Sequence, residues 1–241
     1  MAIGPQRDYS ARTVQGRTQA ADLDLGLRAH MQKVFGLMGL GTAITGLVAF
    51  FTAQSPTMLH AIYETPLRWV VFLAPLGFVL ALSFGIQRMR ASTAQLVFWA
   101  FAGVMGLSLA SIFLVYTGQS IVTTFFVSSA TFFAMALYGY TTKRDLTGWG
   151  SFLFMGLIGL IIASVVNIFV GSTALQFAIS AIGVLIFTGL TAYDTQKIKE
   201  MYYAGDDAET GGKKAIMGAL SLYLDFINLF LYLLRFIGDR R

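Results

Sequence analysis

The chain has 241 residues, of which 56% are hydrophobic and 12% are charged, with a mean hydropathy of +0.68 and a formal net charge of +5. A soluble globular domain carries about 25% charged residues, so this composition indicates an integral membrane protein instead. The 17 basic residues are spread thinly, which argues against nucleic-acid binding. The absence of cysteine excludes a disulfide framework, a thiolate metal site and a cysteine nucleophile.

The first 30 residues are polar and lack apolar periodicity until about Leu23. Such a segment buries too little apolar surface to order itself, so we predict a flexible, cytoplasmic N-terminal tail over residues 1–30. We assign residues 31–238 to one membrane domain. The N-terminus lacks the short apolar core and cleavage site of a signal peptide.

Seven apolar runs, separated by polar breaks, follow the tail. Each is long enough to cross a bilayer as a helix, which takes about 20 mostly apolar residues. Lipid offers no water to unpaired backbone groups, and the runs lack the alternation of a β-barrel. We therefore predict an all-α protein with seven transmembrane helices. The predicted spans are 33–53, 67–87, 93–116, 120–140, 149–170, 174–200 and 214–236.

The basic residues separate the two sides of the membrane. If the spans alternate, the tail and three connections share one side and hold 13 Lys and Arg residues, whereas Arg68 stands alone on the other side. The excess of Lys and Arg in cytoplasmic connections places the N-terminus in the cytoplasm.

The C-terminus departs from this pattern. A full seventh crossing would place Arg235, Arg240 and Arg241 opposite the other basic residues. The last helix therefore either crosses against the charge rule or enters and returns to the cytoplasmic side. The run 215–237 contains no proline, which favours a full crossing.

Two acids lie where acids are costly. Ten of the 12 acidic residues fall in the tail, in the connections or at the C-terminal end, but Asp194 and Asp225 lie inside the sixth and seventh runs. A carboxylate at the bilayer centre costs about 2.5–3.5 kcal/mol on insertion scales, so an intramembrane acid is a candidate functional residue.

Both aspartates extend polar stripes at helical spacing, and such stripes normally face the interior of a helix bundle. In the sixth span, Asp194 continues a threonine stripe that includes Thr191. The residues that share a face with Asp225 in the seventh span are Ser221, Asn228, Tyr232 and Arg235.

The two carboxylates are also predicted at similar depth. Asp194 precedes Gly205 by 11 residues and Asp225 follows Gly212 by 13, so both lie roughly 16–20 Å from the polar turn between the glycines. An antiparallel hairpin would bring them face to face. Two carboxylates in such a site share a proton, and the fully deprotonated pair offers hard oxygen ligands suited to Ca²⁺.

Other partners for these charges remain open at this point. Asp194 can pair with Lys197 or Lys199, and Asp225 with Arg235. Arg88, at the end of the second span, can reach inward to a carboxylate or outward to the lipid headgroups.

Two C-terminal motifs carry a family resemblance. Residues 192–198 read Ala-Tyr-Asp-Thr-Gln-Lys-Ile, and residues 219–235 read Ala-Leu-Ser-Leu-Tyr-Leu-Asp-Phe-Ile-Asn-Leu-Phe-Leu-Tyr-Leu-Leu-Arg. Both resemble the signatures of the Bax inhibitor-1 (transmembrane BAX inhibitor motif) family, and the second is long and specific. The resemblance covers about residues 30–238, and the short tail and compact connections are similar to those of bacterial members.

The resemblance implies six helices around a central seventh, in a bacterial inner (plasma) membrane. It implies a pH-sensitive calcium leak in which Asp194 and Asp225 form the sensor and gate. Arg88 then corresponds to a latch, an arginine that holds the gate closed. Arg90, two residues later, is the alternative for this role.

The leading functional hypothesis is therefore a calcium leak channel, with Ca²⁺ and protons as ligands and no cofactor. One alternative is a regulatory protein that acts on a membrane partner, such as a quality-control protease or a cell-death factor. Another is a proton-coupled transporter that uses the same pair. We predict no enzymatic activity, because the spans lack a nucleophile-and-base motif.

Overall fold

The computed structural model describes residues 7–241, with side chains from residue 24 onwards. The described residues form helices without strands, and seven segments are long and apolar enough to cross a membrane, as predicted. In chain order the helices are α1 (Arg7–Ala53), α2 (Pro56–Tyr63), α3 (Leu67–Gly85), α4 (Ala91–Leu109), α5 (Ile112–Val115), α6 (Gly118–Thr141), α7 (Thr147–Val170), α8 (Thr173–Glu200) and α9 (Ala208–Ile237).

Helix α1 extends into the segment for which the sequence predicted a flexible tail. Its backbone is helical from Arg7, continuous with the first span, which runs from Asp24 to Ala53. The mobility of residues 1–30 and their cytoplasmic location stay predictions.

The third span is broken near its end, which the sequence did not predict. Helix α4 ends at Leu109 and α5 begins at Ile112. The Tyr63 hydroxyl donates a hydrogen bond to the Leu107 carbonyl (2.7 Å) and accepts one from the Ser111 N–H (3.0 Å). Because an unpaired backbone group is costly in lipid, this tyrosine stabilises the break.

Helix α9 is the most buried span, which confirms the predicted central position of the seventh helix. In its most apolar stretch 67% of the residues are buried, compared with 6% in α7. Helix α9 packs directly against α8, α1, α6 and α4, whereas α3 packs on α4 and α7 packs on α8.

Helix α9 runs the full length of the bundle. It begins at the turn after α8, and the residues that follow it dock on the α5–α6 connection at the opposite end. The Asp239 N–H donates to Ser120 Oγ (2.8 Å), the Thr117 N–H donates to the Asp239 carbonyl (3.1 Å), and the Arg241 N–H donates to the Val115 carbonyl (2.9 Å). The seventh helix is therefore a full crossing, and its terminal arginines lie opposite the other basic connections.

Helices α1 and α4 approach closely at Gly106. A Cβ atom built on Gly106 would lie 2.7 Å from the Thr45 carbonyl oxygen and 2.7 Å from Val48 Cβ, so only glycine fits there. One turn earlier on α4, a Cβ on Gly103 would meet nothing within 4 Å. Small residues at contacts between membrane helices permit this approach.

We expect Gly106→Ala to destabilise the protein by about 1–3 kcal/mol, because the methyl group would force α1 and α4 apart. Thermal unfolding in detergent, followed by circular dichroism, measures the effect. The matched control is Gly103→Ala, which should leave the transition unchanged or raise it slightly, since alanine favours helix over glycine. Equal losses in both variants would contradict a specific contact at Gly106.

Candidate functional site

Asp194 lies on the inward face of α8, among threonines whose hydroxyls are satisfied within the helix. Thr191 is wholly buried and its Oγ1 donates to the Phe187 carbonyl (2.7 Å). The Thr195 Oγ1 donates to the Thr191 carbonyl (2.7 Å). Both hydroxyls therefore donate within α8 and are not hydrogen-bonded to Asp194. The partly buried Asp194 carboxyl needs a hydrogen-bond partner from another helix.

That partner is Asp225 of the central helix. The Asp225 side chain is buried, and the carboxyls of Asp194 and Asp225 lie within hydrogen-bonding reach of each other. The Asp225 Oδ2 atom is buried and accepts no hydrogen bond from a donor among the described residues. We call Asp194 and Asp225 the aspartate pair. Two carboxyl groups this close inside a protein form a stable contact when they share a proton.

Separate ion pairs for the two aspartates are not formed among the described residues. Lys197 lies over the Tyr193 ring (5.9 Å), and Lys199 Nζ donates to the Tyr140 carbonyl (2.8 Å). Arg235 is exposed and lies over the Tyr232 ring (5.7 Å). These three basic side chains therefore make their closest contacts with other groups. Lys197 is nevertheless close enough for its charge to act on Asp194.

The remaining stripe residues of α9 only flank the aspartate pair. Ser221 is half-buried. The Asn228 Nδ2 donates to the Leu224 carbonyl of its own helix (2.8 Å). The structure therefore brings together Asp194 and Asp225, with Thr191 close by on the chain, and leaves Arg235 near the far end of α9.

Arg88 and Arg90 lie in the α3–α4 connection, with exposed side chains. Neither forms an ion pair with an acid in the part of the chain whose side chains are described. The connection itself is held to the central helix, because Glu209 Oε1, in the first turn of α9, accepts a hydrogen bond from the Ala91 N–H (2.6 Å). The latch role of Arg88 stays a prediction.

The aspartate pair supplies two acidic groups for a cation. Among the described side chains, no three His, Cys, Asp or Glu residues are placed so that they could hold a metal ion together. Because Ca²⁺ takes six to eight oxygen ligands, a calcium ion at this pair would need water or backbone oxygens as well. Two carboxylates alone are therefore better suited to brief contact with a passing calcium ion than to a stable calcium-binding site.

Three further polar side chains form long-range contacts that the sequence did not predict. Gln196 holds the α6–α7 connection, accepting from the Leu146 N–H (2.8 Å) and donating to the Arg144 carbonyl (2.9 Å). Tyr223 is buried two residues before Asp225, and Glu209 caps α4. No signal in the sequence indicated these contacts, because the partners of all three side chains are distant in sequence.

Comparison with known proteins places the chain among bacterial membrane proteins. The family model described as "Inhibitor of apoptosis-promoting Bax1" matches residues 27–241. The chain is 50% identical to an uncharacterized protein of Rickettsia prowazekii over 97% of this chain and 99% of that one. It is 47% identical to the inner membrane protein YbhL of Escherichia coli, over 90% and 94% of the two chains. An uncharacterized protein of Caulobacter vibrioides is 44% identical over 96% of each chain.

We expect Glu209→Ala to lower the free energy of unfolding by about 0.5–1 kcal/mol, because the first turn of α4 loses its acceptor for the Ala91 N–H. Glu209→Gln keeps a side-chain oxygen and should retain most of that stability. Chemical unfolding in mixed micelles measures both, with Glu200→Ala on the exposed end of α8 as the control. An Ala variant no less stable than the Gln variant would refute the hydrogen bond's contribution.

Proposed function

The chain belongs to the Bax inhibitor-1 family, the family described as inhibitor of apoptosis-promoting Bax1, and from that premise we propose that it is a pH-sensitive calcium leak channel. The aspartate pair is its gate and its pH sensor. Calcium passes down its gradient through the bundle when the pair separates.

The contact between Asp194 and Asp225 is the observation that carries this proposal. Asp225 lies on the central helix and Asp194 on the outer helix that packs against it. Since Asp225 Oδ2 is buried without a hydrogen bond from the rest of the described residues, the Asp194 carboxyl is the partner available to Asp225. A proton shared between them joins α8 to α9.

The sign of the pH response follows from that shared proton. In acidic solution the pair holds its proton, the carboxyls attract each other, and the path between α8 and α9 is closed. As the pH rises the proton leaves, and two like charges at close range repel. Separation then exposes two carboxylates, which attract a divalent cation. Calcium flux therefore increases with pH.

Arg88 is proposed as the latch at the cytoplasmic end. The connection that carries it is anchored to the first turn of α9 by Glu209. A guanidinium reaching inward from this connection could bind a carboxylate through two hydrogen bonds. In this proposal Arg88 leaves the exposed position described above to bind the single negative charge of the proton-sharing pair, and this contact holds the gate closed.

We also propose that the protein lies in a bacterial inner membrane with its N-terminus in the cytoplasm. The relative YbhL is named an inner membrane protein. The basic connections share the N-terminal end of the bundle, as expected for cytoplasmic connections.

Reconstituted protein should release or admit Ca²⁺ at a rate that rises between about pH 5 and about pH 8. Asp225→Asn and Asp194→Asn remove the shared acidic proton, so each should compress this pH dependence to about twofold or less. A calcium dye inside liposomes measures the rates.

Asp145→Asn is the matched control for these variants, because it neutralises an exposed aspartate in the α6–α7 connection. It should keep the pH response of the parent protein. If both pair variants keep that response as well, the assignment of the gate is wrong. If the parent protein passes no calcium at any pH, the channel proposal itself fails.

The cysteine-free sequence makes the orientation directly measurable. In bacterial spheroplasts a membrane-impermeant maleimide should label Gly118→Cys, at the start of α6, without permeabilisation. It should label Lys143→Cys, in the α6–α7 connection, only after permeabilisation. The reverse pattern would invert the proposed orientation.

A further inference from the structure

Tyr223 forms a buried polar contact that the gate proposal does not use. Its side chain is wholly enclosed on α9, and its hydroxyl oxygen lies 2.6 Å from Thr45 Oγ1 of α1. The same Thr45 Oγ1 lies 2.8 Å from the Ala102 carbonyl oxygen of α4. One contact therefore joins the central helix to two outer helices.

The direction of these hydrogen bonds follows from the groups present. A carbonyl oxygen has no proton to give, so Thr45 is the donor in its contact with Ala102. Thr45 Oγ1 then accepts the proton of the Tyr223 hydroxyl. Thr45 has one alternative acceptor, the Gly41 carbonyl of its own helix at 3.0 Å. Tyr223 thus depends on the Thr45 oxygen for its own hydrogen bond.

Aromatic packing fixes the Tyr223 ring in this position. Phe101 meets it edge-on with ring centroids 5.1 Å apart, and Phe98 does so at 6.0 Å. Gly41 leaves the space for this arrangement, because a Cβ there would lie 2.9 Å from Phe98 Cζ and 3.5 Å from Tyr223 Cδ2. The ring cannot turn without disturbing α1 and α4.

Tyr223 and Asp225 lie on opposite faces of α9. Two residues along an α-helix correspond to a rotation of about 200°, so a side chain held against α1 and α4 fixes the direction of the side chain two positions later. Asp225 accordingly faces α8, where Asp194 lies.

We propose that Tyr223 is a positioning residue, whose hydrogen bond to Thr45 fixes the rotation of α9 and so holds Asp225 against Asp194. The inference deepens the proposed function and rests on it for its flux measurement. A rotation of α9 that separates the aspartate pair must also break the Tyr223–Thr45 hydrogen bond. The bilayer supplies no water to replace it. The bond therefore favours the closed state and helps to set the pH at which the gate opens.

Tyr223→Phe and Thr45→Val each remove one hydroxyl with little change in shape. Both should favour the open state about threefold, the usual size of an interhelical hydrogen bond in a membrane protein. Because opening follows deprotonation, the midpoint of calcium flux should move about 0.5 pH unit lower for a one-proton transition. The double variant should move no further than either single variant, and Thr45→Ser, which keeps the hydroxyl, should behave like the parent.

Tyr138→Phe and Thr131→Val on α6 are the matched controls. Tyr138 is exposed, and the Thr131 hydroxyl donates to the Val127 carbonyl of its own helix. Both should leave the flux midpoint unchanged. Additive shifts in the double variant, or equal shifts in the controls, would overturn the proposal, as would an unchanged midpoint in a folded Tyr223→Phe protein.

A thiol measurement separates this proposal from the channel proposal. Ser221 shares a face with Asp225, and Ser221→Cys introduces the sole thiol of the chain. At one fixed pH, adding Tyr223→Phe should raise the rate at which a small water-soluble maleimide reacts with that thiol several-fold, relative to Ser221→Cys alone. This result would support the positioning role even if no calcium flux is found. An unchanged rate would refute it even if the flux and its pH dependence are as proposed.

Discussion

A polar group inside a bilayer must find its partner within the protein, and this constraint shapes the centre of the bundle. Hydroxyl and amide groups along the inner faces of α8 and α9 meet it locally, since Thr191, Thr195 and Asn228 donate to carbonyls of their own helices. A carboxyl group cannot use that solution without its proton, because a carbonyl accepts and does not donate. Each aspartate therefore has the other as its hydrogen-bond partner.

The central helix is held at both ends and along its length by different kinds of contact. Glu209 ties its first turn to the start of α4, and Asp239 ties the segment after it to the start of α6. Between these ends, Tyr223 joins it to α1 and α4. A fourth contact, with Asp194, lies between two carboxyl groups, and in the proposed channel it is the one that a shared proton controls. Helix α9 is thus held by several contacts, of which this one is proposed as the gate.

The sequence predicted what spacing along one helix can encode. Hydropathy located the seven spans, and the 3.6-residue repeat placed Asp194 and Asp225 on inward faces. The turn between α8 and α9 then set their depths. What spacing does not encode is which faces meet across the bundle. Glu209, for example, lies in the polar segment between Gly205 and Gly212, as an exposed turn residue would. Its carboxylate nevertheless accepts a hydrogen bond from Ala91, which lies 118 residues away in the sequence. The break in the third span escaped prediction for the same reason, because Tyr63 stabilises it from another helix.

The central position of α9 has a consequence for biosynthesis. Chains emerge from the ribosome N-terminus first, and α9 follows the six other membrane spans. Those six must enter the membrane before the segment that fills their centre exists. Thr45 on α1 and Asp194 on α8 therefore lack their partners Tyr223 and Asp225 until α9 has been synthesised. The bundle therefore reaches its packed form only when α9 inserts. Substitutions that impair the packing of α9 should leave more protein misassembled, and so exposed to membrane quality control, than equal substitutions in α3 or α7.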